Sequence, residues 1–182
     1  MTEHSGSAPV DLEKEAKSLY KAGKYFQAAN LFDKAAVLYE EQGDKTLSAE
    51  MKNNQSVSHL KSGKPDLALA AVQGTKKVFA EADETLKMAM ALANEAAAYQ
   101  DLGSRDQAIN LFTQARDIFK NLGEDQLLLE TSQSLSSLKL KSRNIPGALF
   151  AMQEGLEQIE KPNLRQKLLL NLLRIPNKLI EK

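Results

Sequence analysis

Cysteine and tryptophan are both absent from the 182 residues, and aromatic side chains make up only 5% of the chain. Without cysteine there can be no disulfide framework, no thiolate zinc site and no thiol nucleophile. A surplus of one charge is missing too, since Lys plus Arg and Asp plus Glu number 24 each. So balanced a chain has no overall field to draw in nucleic acid or an anionic membrane, and neither is an expected partner; selectivity has to come from local surface. Alternation of β-branched and polar residues does not occur, and with valine and isoleucine scattered no sheet is expected. At the amino terminus no cationic stretch leads into an apolar core. Residues 1–8 are polar and read as a disordered leader rather than a signal peptide, which makes the cytoplasm the expected compartment.

What the chain has in quantity is Ala, Leu, Lys, Glu and Gln, residues that lose little freedom in a helix. With 42% hydrophobic content there is enough apolar material for one folded unit, and its class is expected to be all-α. Turn residues divide it. Gly23, Gly43, Gly63, Gly103 and Gly123 fall twenty residues apart, and the vacant slots hold Asp83, Arg143 and Asn163. Gly, Asp and Asn best tolerate the left-handed conformation that closes a helix, so this column is a series of helix stops. Arg143 departs from the pattern, with Asn144 beside it and Pro146-Gly147 after it able to make the turn instead. Pro9, Pro65, Pro146 and Pro162 lie at helix starts, where a missing N–H costs nothing. Four helix pairs are predicted near 9–42, 45–82, 84–122 and 125–161, followed by a further helix over 163–180.

The pairs repeat every forty residues. Ala28, Ala68, Ala108 and Ala148 form one column, followed four residues later by Phe32, Val72, Phe112 and Met152. A small column holds Ala16, Ser56, Ala96 and Ser136; a bulky one holds Tyr39, Phe79, Phe119 and Ile159. Small residues at fixed intervals let helices approach closely, and internal duplication accounts for the spacing. The segment from Leu92 through Asn94, Ala96, Tyr99 and Gly103 to Ala108, Phe112 and Ala115 resembles the tetratricopeptide repeat. The segment from Ala22-Gly23 through Ala28 and Phe32 to Ala35 is nearly as close, whereas the second and fourth repeats put His59 and Lys139 in the Tyr99 column and Thr75 and Gly155 in the Ala35 column. The resemblance covers residues 9–161. Its forty-residue period is similar to the long-repeat branch seen in soluble NSF attachment proteins, kinesin light chains and several bacterial peptide sensors, and the spacing does not choose among them. It implies a right-handed α-solenoid of about four antiparallel helix pairs.

Nothing in the sequence supports catalysis or a cofactor. His59 sits in a packing column without companion ligands, and His4 lies in the leader. Gly43-Asp44-Lys45-Thr46 lacks the glycine before lysine that a phosphate loop needs and reads as a helix–helix turn. The expected function is therefore a non-enzymatic interaction module that binds a peptide or partner protein in the concave groove of the array, or alternatively a structural, self-assembling repeat protein that associates through its C-terminal helix.

The resemblance also implies where a partner would lie. First helices of tetratricopeptide pairs line the concave face, which places Asn54, Asn94 and Ser134 on a polar ladder, with Lys14 at the matching position of the first repeat. A carboxamide both donates and accepts, so such a ladder could meet the main chain of an extended ligand. Lys17, Lys21, Asn53, Val57 and Lys61 neighbour it in the first two repeats, and Met90, Ala97, Gln100, Ser137 and Lys141 in the last two. The C-terminal segment 162–182 follows none of the columns. Leu164, Leu168, Leu172, Ile175 and Leu179 share one face, widened by Leu169, Leu173 and Ile180, so the helix is expected to cap the open end of the array, or alternatively to join two copies as a homodimer. Pro176 should kink or end it.

Overall fold

The computed structural model describes residues 8–159 and 161–174. Among these residues there are helices and turns and no strands, so the fold class is all-α. Most of the leader (residues 1–7), together with Ile175, Pro176, Leu179 and Ile180 of the C-terminal helix, lies outside the described residues.

The chain divides after Ser104 into two compact units. The first holds α1 (Pro9–Lys21), α2 (Tyr25–Glu41), α3 (Lys45–Lys61), α4 (Pro65–Val72), α5 (Thr75–Glu81) and α6 (Thr85–Asp101). The second holds α7 (Arg105–Leu122), α8 (Asp125–Lys141), α9 (Ile145–Glu157) and α10 (Leu164–Leu173). In the first unit α2 packs on α1 and α3, and α4 and α5 pack on α3 and α6; in the second, α8 packs on α7 and α9. Apart from α4 and α5, which together form one arm of their pair, connections this short favour antiparallel neighbours, and burial of each arm against the next in sequence is the α-solenoid pattern.

The twenty-residue column closes the helices as expected. Gly23, Gly43 and Gly63 take φ of 75°, 81° and 70°. After each, the next N–H reaches back five residues: Lys24 to the Leu19 carbonyl, Asp44 to Tyr39 and Lys64 to His59, all at 2.9 Å. This hydrogen bond satisfies a carbonyl left over at the helix end. Asp83 does the same work at φ 57°. Two slots differ from the expectation. Arg143 itself enters the left-handed region at φ 59°, and the Asn144 N–H bonds the Lys139 carbonyl at 2.8 Å. Asn144 is occupied otherwise, its side chain accepting from the Gly147 N–H at 2.9 Å to cap α9. Asn163 ends no helix; it is extended (φ −69°, ψ 171°) and starts α10 through a reciprocal capping box with Gln166.

The second pair also departs from its predicted form, because the helix expected to run to residue 82 breaks after Val72. Gly74 takes φ 82° and α5 begins at Thr75, whose hydroxyl donates to the Val72 carbonyl at 2.8 Å. That bond meets one acceptor the break would have stranded. Packing follows the columns: Ala28, Ala68, Ala108 and Ala148 are buried, as are Ala16, Ser56, Ala96 and Ser136. Tyr39, Phe79 and Phe119 fill the spaces beside them.

Candidate partner-binding groove

In the first unit the helices that open each pair, α1, α3 and α6, contribute to one concavity. A cavity of about 320 Å³ is lined by Lys17, Tyr20 and Lys21 of α1, Phe32 of α2, Asn54 and Val57 of α3, and Met90 of α6. Phe32 is buried, Tyr20 and Val57 are half-buried, and Met90 is exposed, so the wall is apolar while the two lysines stand at the mouth. Lys17, Tyr20 and Lys21 converge because residues three and four apart share a helix face. Further along α1, Lys14 joins Lys17, Lys21, Val10, Glu13 and Ser18 around a second, more open depression of about 480 Å³.

Local contacts hold this wall in place. Glu13 pairs with Lys17 one turn on and accepts from the Tyr39 hydroxyl at 3.1 Å, tying α1 to α2. Burial, and then the proximity of Glu13, push the Tyr39 hydroxyl above its ordinary value, so it remains a donor. Tyr20 packs edge to face on Tyr25, with ring centroids 5.2 Å apart. Its pKa is raised too, by burial first and Tyr25 second, which leaves a protonated hydroxyl beside the cavity. Opposite, Lys87 of α6 bridges to Glu50 of α3 at 3.2 Å and Lys76 of α5 to Glu95 of α6 at 2.8 Å.

The cavity therefore brings together Lys17, Lys21, Asn54, Val57 and Met90 from the positions singled out in the sequence. Asn53 is placed elsewhere. It is buried, and its Oδ1 accepts from the Asn94 Nδ2 at 2.9 Å, so this neighbour of the ladder faces inward and one Asn94 donor is already engaged between α3 and α6. Ala97 and Gln100 are half-buried on α6, the Gln100 Oε1 enclosed without a hydrogen-bond partner among the described residues, and Lys61 is exposed at the end of α3. In the second unit the Ser134 hydroxyl bonds back to the Glu130 carbonyl at 3.2 Å, and Ser137 and Lys141 are exposed on the same helix. The sequence reading missed Tyr20, whose i+3 and i−1 relation to Lys17 and Lys21 was the available signal. Phe32 was read as a core residue only, and it is both core and cavity floor.

His59, in the packing column, is buried against the tilted ring of Phe26 at 6.4 Å, with Nδ1 unpartnered among the described residues. Among the described residues no three His, Asp or Glu side chains are grouped to hold a metal, and no helix is long and apolar enough to cross a membrane.

A family model described as soluble NSF attachment protein, SNAP, matches residues 4–169. The chain belongs to the SNAP family. The match runs through every helix pair and into α10, and it selects one of the long-repeat groups that the forty-residue spacing left open. SNAP proteins are helical-repeat, protein-binding adaptors rather than enzymes. No curated protein matches the chain.

Proposed function

We propose that this SNAP-family chain is a cytoplasmic, non-enzymatic adaptor that grips a helical segment of a partner protein in the groove of its first unit and so links that partner to NSF. The observation that carries the reading is the cavity between α1, α3 and α6, where an apolar wall sits under a cationic mouth. Apolar walls of this kind accept one or two large side chains, and their burial supplies the affinity. Lys17 and Lys21, with Lys14 beyond them, favour a partner bearing carboxylates next to its apolar anchor. Asn54 can donate and accept at the edge and so set the register of the bound segment. Neither nucleic acid nor a cofactor is required for any of this.

Site-specific photo-cross-linking tests the reading in the presence of purified NSF and membrane-protein extract. A photoreactive residue at Val57 should capture an acidic helical segment of a protein that co-purifies with NSF, and Met90→Asp should abolish that adduct while helicity is unchanged. The same adduct formed from Val37, which is exposed on the outer side of α2, or capture unaffected by Met90→Asp, would place binding outside the groove.

A further inference from the structure

The leucine line of α10 faces solvent. Leu164, Leu168 and Leu172 are 74%, 57% and 62% exposed, whereas Leu170 and Leu173, on the opposite side of the helix, are half-buried. Of the face singled out in the sequence, these three leucines are thus open to solvent, and Ile175, Leu179 and Ile180 lie outside the described residues. Its principal neighbour is α9, and the Arg174 guanidinium bonds Glu157 at 3.2 Å, so contact is made by one edge and one end. The helix is nonetheless well defined at its start, where Asn163 and Gln166 exchange hydrogen bonds at 2.8 and 3.0 Å.

Charge indicates what could cover it. The described carboxylates between Arg143 and Arg174 are Glu154 and Glu157, and both are already paired: Glu154 with Arg116 and Lys120 at 3.0 Å each, Glu157 with Arg174. Arg165 and Lys167 are in no ion pair among the described residues, and at 100° per residue they border the leucine line on its two sides. A second copy laid across this seam would bring its Arg165 and Lys167 against these same cations, which is unfavourable. A membrane-lying helix wants an uninterrupted apolar face with its cations on the far side, whereas here Arg165 lies within the exposed apolar face, between Leu172 and the 39% exposed Leu169, and Lys167 stands at its other edge. The leucine line is the seam of a helix pair, about 15 Å long for ten residues.

We propose that α10 is a second docking surface, distinct from the groove, for an amphipathic helix of another protein whose apolar stripe is bordered by Asp or Glu. The carboxylates of that helix reach Arg165 and Lys167 while its apolar residues cover Leu164, Leu168 and Leu172.

The test uses the full chain carrying Met90→Asp, so that the groove cannot contribute. The probe is a fluorescent synthetic amphipathic helix with leucine at i and i+4 and glutamate at the flanks, followed by anisotropy. Binding should weaken at least tenfold in Leu168→Ser/Leu172→Ser, surface changes that leave the thermal transition in place, and at least tenfold in Arg165→Glu/Lys167→Glu. The charge-reversed protein should instead take the same helix with lysine flanks. Absence of binding, or binding indifferent to either pair of changes, overturns the proposal. So does preferential sedimentation with phosphatidylserine vesicles, or a dimer in light scattering that Leu168→Ser/Leu172→Ser dissolves. Loss of the Val57 cross-link reports on the groove alone, so the two surfaces fail separately.

Discussion

Replacing Gly155 with alanine sets two opposing effects against each other, and the geometry decides between them. Gly155 lies inside α9, where alanine would ordinarily be better by about 0.5–1 kcal/mol because glycine loses more backbone freedom. A Cβ built at Gly155, however, comes 2.6 Å from the Ser132 Cβ and 3.3 Å from the Leu129 Cα on α8. Carbon atoms rest about 3.5–4.0 Å apart, so the helices would have to separate by about 1 Å. Neither obstacle can swing aside, since one is backbone and the other a side chain's first carbon on a fully buried serine. Overpacking of this kind costs about 1–3 kcal/mol, which outweighs the propensity gain and leaves a net loss of about 1–2 kcal/mol. For a chain of this length that lowers Tm by roughly 2–8 °C. Circular-dichroism melts of Gly155→Ala, Ser132→Gly and the double variant measure it, and the double variant should lie above the sum of the singles because Ser132→Gly removes the nearest obstacle. A Tm for Gly155→Ala at or above that of the parent would refute the close approach of α8 and α9.

Arg143→Gly should raise Tm, since arginine holds a left-handed conformation that costs a side-chain-bearing residue about 1–2 kcal/mol and glycine little, less the freedom glycine regains on unfolding; an unchanged or lower Tm would contradict it. Asn94→Ala should cost about 1–3 kcal/mol of stability by stranding the buried Asn53 Oδ1, so denaturant melts of this variant have to accompany any binding measurement, and an unchanged midpoint would show the bond to be expendable. His59 carries a pKa below its ordinary value, chiefly through burial and against the opposing pull of Asp33. The folded state therefore disfavours the proton, so stability is full above the unfolded pKa of about 6.5 and is lost as pH falls through that value toward the folded one. Melts between pH 5 and 7 should show a steeper acid loss in the parent than in His59→Phe, and equal slopes would remove His59 from the account.

Local and periodic features of this chain were legible from its residues alone. A helix stop needs only a residue that tolerates positive φ, and Gly23, Gly43, Gly63 and Asp83 declare that position without reference to any neighbour. The alanine and phenylalanine columns were legible for a related reason: a repeat that must fit against its own copies can carry only small residues where backbones meet. Whatever depends on how a helix is rotated against its neighbours emerged only with the packing. Asn53 and Asn54 differ by one residue, or 100° of helix, and packing against α6 turned the first into the interior and left the second on the cavity. The same freedom set α10, whose apolar periodicity shows that a face exists but not which side meets α9; in the structure Leu170 and Leu173 are half-buried, Arg174 pairs with Glu157 of α9, and the leucine line is turned outward. Arg143 was unreadable as a stop because arginine has no intrinsic preference for positive φ, and it is tertiary and turn contacts that hold it there: its own N–H on the Leu140 carbonyl, the Asn144 N–H on the Lys139 carbonyl and the capping of α9.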